Sequence, residues 1–100
     1  MDYRFNSEGD KFEVFLQGEM TKKDIEQVNK IVKMIDRNDV KDLCIDMSDI
    51  KYIDSSGMGQ LLVLKDKMDK IKGALTIYNL NGYAKKMVEV ANFDKLLEIK

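Results

Sequence analysis

The sequence predicts an α/β domain built on a mixed, mostly parallel sheet that opens with a β-hairpin and carries its helices mainly on one face. Three observations lead there. Segments with period-two alternation take turns with segments whose apolar residues recur every three or four positions, the pattern of strand-helix-strand units. The first two strand segments are separated by only a short polar stretch, so they pair as a hairpin. The strands also alternate apolar with polar residues, as in Ile45-Asp46-Met47-Ser48, whereas parallel strands covered on both faces read as unbroken apolar runs. One sheet face is therefore expected to stay partly solvated.

Each element has its own local reason. Residues 3–6 and 11–18 form the hairpin around Ser7-Glu8-Gly9-Asp10, where Gly9 can supply a positive φ. In its second strand Phe12, Val14 and Leu16 alternate with Glu13, Phe15 and Gln17, so one side is dry. Residues 22–37 carry Ile25, Val28, Ile31, Val32 and Ile35 at helical spacing, and Thr21 with Asp24 three residues on forms a capping pair. Leu43, Ile45 and Met47 mark the next strand, which runs out through Asp49 to Tyr52. A second helix over residues 57–72 carries the stripe Met58, Leu61, Leu64, Met68 and Ile71, and Gly73 ends it. Residues 75–79 form a strand, and Asn81 is placed to cap a third helix bearing Ala84, Met87, Val88 and Ala91. Residues 96–100 supply the last strand.

Composition limits the function. A chain of 100 residues, 44% hydrophobic, fits one domain over residues 1–100 with a single core. Lys and Arg number 17 against 18 Asp and Glu, a net charge of -1, so neither nucleic acid nor an anionic membrane is an expected partner. The apolar runs are short and Met1 leads into Asp2 and Arg4, which reads as a cytoplasmic protein. The single cysteine, Cys44, lies within an apolar stretch and reads as a small buried hydrophobe. There is no histidine, which excludes Ser-His and Cys-His nucleophile pairs and zinc held by Cys and His. No phosphate-binding glycine loop is present, since Gly57 and Gly59 form only an isolated pair. No catalytic residue, metal or cofactor is expected.

The stretch Ile53-Asp54-Ser55-Ser56-Gly57-Met58-Gly59, where a strand gives way to a helix, is the most informative. One reading makes Ser55 or Ser56 the cap of the second helix, because a side-chain oxygen there accepts from amides of the first turn. A second uses the same geometry to seat an anion, including a phosphate carried by the serine itself. Met58 could face a partner or begin the buried stripe. Gly57 and Gly59 are expected to permit close backbone approach or relieve crowding. Glu19, Met20 and Thr21, at the end of a parallel strand, are expected to flank Ser55.

Tyr52-Ile53-Asp54-Ser55-Ser56-Gly57-Met58-Gly59, preceded by the strand at residues 43–47, resembles the signature of STAS-domain anti-sigma factor antagonists. Phe15-Leu16-Gln17-Gly18-Glu19-Met20 is similar to that family's strand ending before the first helix, and the order of elements agrees over nearly the whole chain. The resemblance implies partner switching. The unmodified protein would bind an anti-sigma factor that is also a serine kinase and so free a sigma factor, phosphorylation at Ser55 would release it, and a serine phosphatase would restore it. Ser55 is then the phosphoacceptor, and Glu19, Met20, Thr21, Asp54, Ser56, Gly57 and Met58 are the implied partner-binding residues. Thr21 departs from the family, which often has aspartate there. Many relatives also continue into another helix where this chain reaches Lys100, which implies a less covered core or one covered by a partner. A monomer is expected. Two other classes remain open: a STAS adaptor subunit of a stress-signalling or lipid-transport complex, and an enzyme holding magnesium with Asp46, Asp49 and Asp54.

Overall fold

The computed structural model describes residues 1–100. Five strands, β1 (Asp2–Glu8), β2 (Lys11–Met20), β3 (Asp42–Ile53), β4 (Ala74–Tyr78) and β5 (Glu98–Ile99), form one sheet in the order β1-β2-β3-β4-β5. β1 is antiparallel to β2, and every later neighbour is parallel. Three helices, α1 (Ile25–Arg37), α2 (Ser55–Lys70) and α3 (Gly82–Val90), complete the chain. None is long and apolar enough to cross a membrane.

Register explains the two-sided sheet. Phe12 pairs with Leu43 and Leu43 with Leu75; Val14 pairs with Ile45 and Ile45 with Ile77. All six side chains are buried under the helices, where Val28, Ile31, Ile35, Leu61, Leu64, Met68, Ala84 and Val88 meet them. The other face keeps Arg4, Glu13, Phe15, Asp46 and Tyr78 in partial or full contact with solvent, and the Arg4 guanidinium lies 5.2 Å from the Phe15 ring centre. The alternation in sequence thus foretells one covered and one open face, as expected.

Several boundaries move for physical reasons. The hairpin turn tightens onto Gly9, whose φ is +61°, and both strands lengthen. A 3-10 turn at Lys22–Asp24 precedes α1, with Thr21 and Asp24 forming the expected capping box; entering through that turn leaves Ile25 on the outer side. At the end of α2, Lys72 takes the left-handed conformation (φ +57°). Asn81 stands at the cap position of α3, yet its amide donates to the carbonyls of Ser48 and Asn79, so it ties α3 to β3 instead of capping it. The last strand shortens to two residues, Glu98 and Ile99.

The largest departure is β3. Its pairing with β2 shifts once between Phe15 and Gln17 and again between Gly18 and Glu19, each time with an extra residue on β3. Beyond Met47 the buried positions become Ile50 and Ile53, a spacing of three that strict alternation does not produce. β4 does not extend that far, and α3 packs against the extension.

Two carboxylates lock connections. Asp24, buried, accepts from the Thr21 amide at 2.8 Å and the Met1 amino group at 2.9 Å. Asp46 accepts from the Ser48 amide at 2.9 Å and from the Asn79 side chain at 2.8 Å. For each, burial pushes the pKa up, but these hydrogen bonds outweigh it and hold the group below its ordinary 3.8. Their contribution to stability is complete above the unfolded value and is lost as pH falls through it toward the lowered folded values. Chemical denaturation as a function of pH should therefore show stability falling below about pH 5, and Asp46→Asn should reduce that slope while lowering stability at neutral pH.

Candidate functional site

The site forms where β2 and β3 end side by side. Glu19 pairs with Tyr52 and Met20 with Ile53, and the Asp54 amide continues the ladder by donating to the Met20 carbonyl at 3.3 Å. The chain then turns into α2. Asp54 is extended and its Oδ1 accepts from the Gly57 amide at 2.8 Å, while its carbonyl accepts from Met58 at 2.9 Å. The cap of α2 is thus the aspartate, and neither serine fills that role.

This arrangement releases both hydroxyls. Ser55 and Ser56 are the first two residues of α2, both exposed, and neither side chain bonds a protein group. Their amides belong to the first helical turn, which has no carbonyl within the helix to donate to. The positive end of a helix dipole therefore lies beside a free hydroxyl and an aspartate already engaged by an amide.

Gly57 makes the geometry possible. A Cβ added there would sit 2.0 Å from the Met20 carbonyl oxygen and 2.8 Å from Ile53, so only glycine lets α2 rest on the end of β2. Gly59 has open space around it, contrary to the expectation that it relieves crowding. Gln60, 5% exposed, donates to the Thr21 carbonyl at 2.7 Å and fastens the second turn of α2 to the β2-α1 connection.

The expected residues do converge, though not all on the surface. Glu19 is exposed and pairs with Tyr52, and Thr21, half-buried, follows Met20, whose carbonyl accepts from the Asp54 amide. Met20 is fully buried, and Met58, only 5% exposed, begins the inward stripe of α2. Neither methionine offers a partner any surface, because the side chain of Met20 turns inward with Ile53 and Met58 faces the core with Leu61. Gly57 is buried as well and acts through its backbone. Two residues not anticipated join the rim: the rings of Tyr52, 37% exposed, and Tyr83, 50% exposed, stack with centres 5.6 Å apart. Tyr83 lies off the Ala84-Val88 stripe, a sign that it faces outward, but only the packing of α3 on β3 brings it to Tyr52.

The magnesium alternative does not assemble. Asp54 caps α2, Asp46 holds Ser48 and Asn79 on the open sheet face, and Asp49 is exposed. No three carboxylate, thiol or imidazole groups come together as a metal centre requires. Cys44 is buried, and burial followed by the nearby Asp42 carboxylate pushes its thiol pKa up, the opposite of an activated nucleophile.

The two glycines give a paired prediction. Gly57→Ala should destabilise the fold by roughly 2–4 kcal/mol, because backbone must move. Gly59→Ala should stabilise it by about 0.5–1 kcal/mol through helix propensity. Urea denaturation of both variants reads the difference.

The family model described as "Mlab, STAS domain" matches residues 3–98. A STAS-domain containing protein of Pseudomonas aeruginosa is 29% identical over 55 residues, which are 55% of this chain and 54% of that protein, so the match spans about half the length of the relative. The structure of the anti-sigma factor antagonist SpoIIAA in its unphosphorylated form shares the fold with a TM-score of 0.77 and 20% identity, over 99% of this chain and 87% of that one. The phosphorylated form of the Bacillus protein SpoIIAA does so with a TM-score of 0.74 and 15% identity, over 99% and 91%. With a capping Asp54, a glycine seated on the β2 end and a family model spanning nearly its full length, this chain belongs to the STAS domain family.

Proposed function

We propose that this chain is an anti-sigma factor antagonist that works by partner switching, with Ser55 as its phosphoacceptor. The observation that carries the reading is the division of labour at the start of α2: Asp54 caps the helix, which leaves the hydroxyls of Ser55 and Ser56 exposed and uncommitted, and the resemblance to STAS antagonists selects Ser55, the one that directly follows the aspartate. The unmodified form binds an anti-sigma factor that is also a serine kinase, and a sigma factor is thereby freed. Phosphorylation ends the complex, and a serine phosphatase reverses it. The chain is in this reading the substrate of an enzyme and not itself one.

Release follows from electrostatics. A phosphate on Ser55 adds about 1.5 to 2 negative charges at neutral pH. The helix dipole and free amides moderate their cost within the free protein. In a complex, the same charge must be desolvated beside Asp54 against a surface shaped for a hydroxyl. Binding weakens while the fold persists. Glu19 and Thr21, at the end of β2, together with Asp54 and Ser56 beside Ser55 in the chain, are in this reading the polar part of the contact, and Tyr52 with Tyr83 supplies exposed aromatic area of the kind that dominates interfaces.

A second reading is a STAS adaptor subunit of a stress-signalling or lipid-transport complex, with which the matched family model, described as "Mlab, STAS domain", is compatible. There the same surface docks without a sigma factor. Binding measurements separate the two. With the cognate kinase as titrant, Ser55→Ala should retain wild-type affinity, and Ser55→Asp should lose about a hundredfold, close to 3 kcal/mol. Equal affinities for Ser55→Asp and wild type would remove the switch and leave the adaptor.

A further inference from the structure

A second surface lies away from the serine end. β1 is an edge of the sheet, so along its seven residues the outer flank presents backbone donors and acceptors that no strand meets. Tyr3, Phe5 and Ser7 pair with Leu16, Val14 and Phe12, whose side chains are buried beneath the helices, so these three lie on the helix side of β1. Phe5 stacks on Phe12 with ring centres 5.5 Å apart yet stays 46% exposed. Between this strand and α1 runs a groove of about 340 Å³ lined by Tyr3, Lys30, Lys33, Met34 and Arg37.

The groove has a definite charge. Lys30, Lys33 and Arg37 follow one another on one side of α1 at spacings of three and four residues. None joins an ion pair; the salt bridges are Met1 with Asp24, Lys65 with Asp69, and Lys67 with Asp36. Glu26 stands near one end of the row. On a chain of net charge -1, three cations outside any ion pair along one lip, against the single carboxylate of Glu26 at one end, are a local excess that calls for an acidic partner.

We propose that β1 and this groove accept an extended segment of a partner protein, added to the sheet as a strand, with acidic side chains toward Lys30, Lys33 and Arg37 and an apolar one toward Phe5 and Tyr3. The spacings match. Side chains on one face of a strand repeat about every 6.6–6.8 Å. The cations on α1 are separated by about 4.5 and 6 Å along the helix axis, within reach of long side chains. A second copy of this chain fits less well, because pairing β1 with itself brings two identical cationic rows to one seam. A flat anionic membrane would meet the charges but leave the strand edge unused.

The test uses the full chain and a fluorescein-labelled peptide in which every second residue is threonine and the residues between them, all on one strand face, are glutamates with one valine, the control carrying lysines in place of the glutamates. The acidic peptide should bind saturably, more weakly as salt rises, and should slow amide hydrogen exchange within residues 2–8. Combined Lys30→Glu, Lys33→Glu and Arg37→Glu should weaken binding on the order of tenfold or more with unchanged thermal melting; if that variant does not fold, Lys33→Glu alone should weaken it in the same direction. Ser55→Asp should bind the peptide as wild type does, which separates this surface from the switch. The proposal is overturned by no saturable binding up to about 1 mM, by charge-reversed protein that folds and binds as tightly, or by slowed exchange at residues 48–58 instead. Binding only to phosphatidylglycerol vesicles, or self-association through β1 in sedimentation, would equally overturn it.

Discussion

The seating of α2 on the end of β2 is the contact on which the rest of this structure depends. A carbonyl, that of Met20, accepts from the Asp54 amide and at the same time faces the Cα of Gly57 at a distance that admits no side chain. Once those two chain segments touch, three consequences follow. The residue before the helix must supply its own cap, and Asp54 does so. The third helical residue must be glycine. The two residues between them are turned outward, and they are both serines. Gln60 then fixes the orientation by bonding the Thr21 carbonyl one turn further along. The exposed hydroxyl is thus a by-product of a backbone junction that fixes where its Cα sits and leaves the side chain unbonded.

The sheet connects this junction to the remainder of the fold. Its helix-covered side forms one continuous core from Phe12 to Leu97, so the position of α2 is referenced to every strand. Its other side carries polar and half-buried groups, with Asp46 and Asn79 joining β3 to the end of β4. The two bulges let β3 outrun β4 and give α3 a surface of its own. Phosphorylation at Ser55 would therefore act at a boundary between a well-packed interior and an exposed side chain, where added charge alters recognition more readily than stability.

Much of this was legible in the chain itself. Alternation in Phe12-Val14-Leu16 and Leu43-Ile45-Met47, with helical spacing between, led to the order of elements and to the single covered face. The Asp-Ser-Ser-Gly stretch at a strand-helix boundary pointed to the site. What could not be read were features set by tertiary geometry. The bulges leave no local mark beyond the change of spacing at Ile50 and Ile53. Which of three adjacent cap-forming residues caps α2 depends on the approach of β2, since Asp54, Ser55 and Ser56 have similar intrinsic preferences. The burial of Met20 and Met58 likewise follows from the junction and not from residue type. Asn81 had the chemistry of a cap but was drawn to Ser48, and the Tyr52-Tyr83 pair needed the third helix in place.

The central claim is that one hydroxyl, that of Ser55, changes chemical state. The direct measurement is mass-spectrometric mapping of the phosphosite after the protein is incubated with its cognate kinase and ATP, with Ser55→Ala and Ser56→Ala run in parallel. The account predicts phosphate on Ser55 in the wild type and in Ser56→Ala, and none in Ser55→Ala. Phosphate found on Ser56 alone would contradict it.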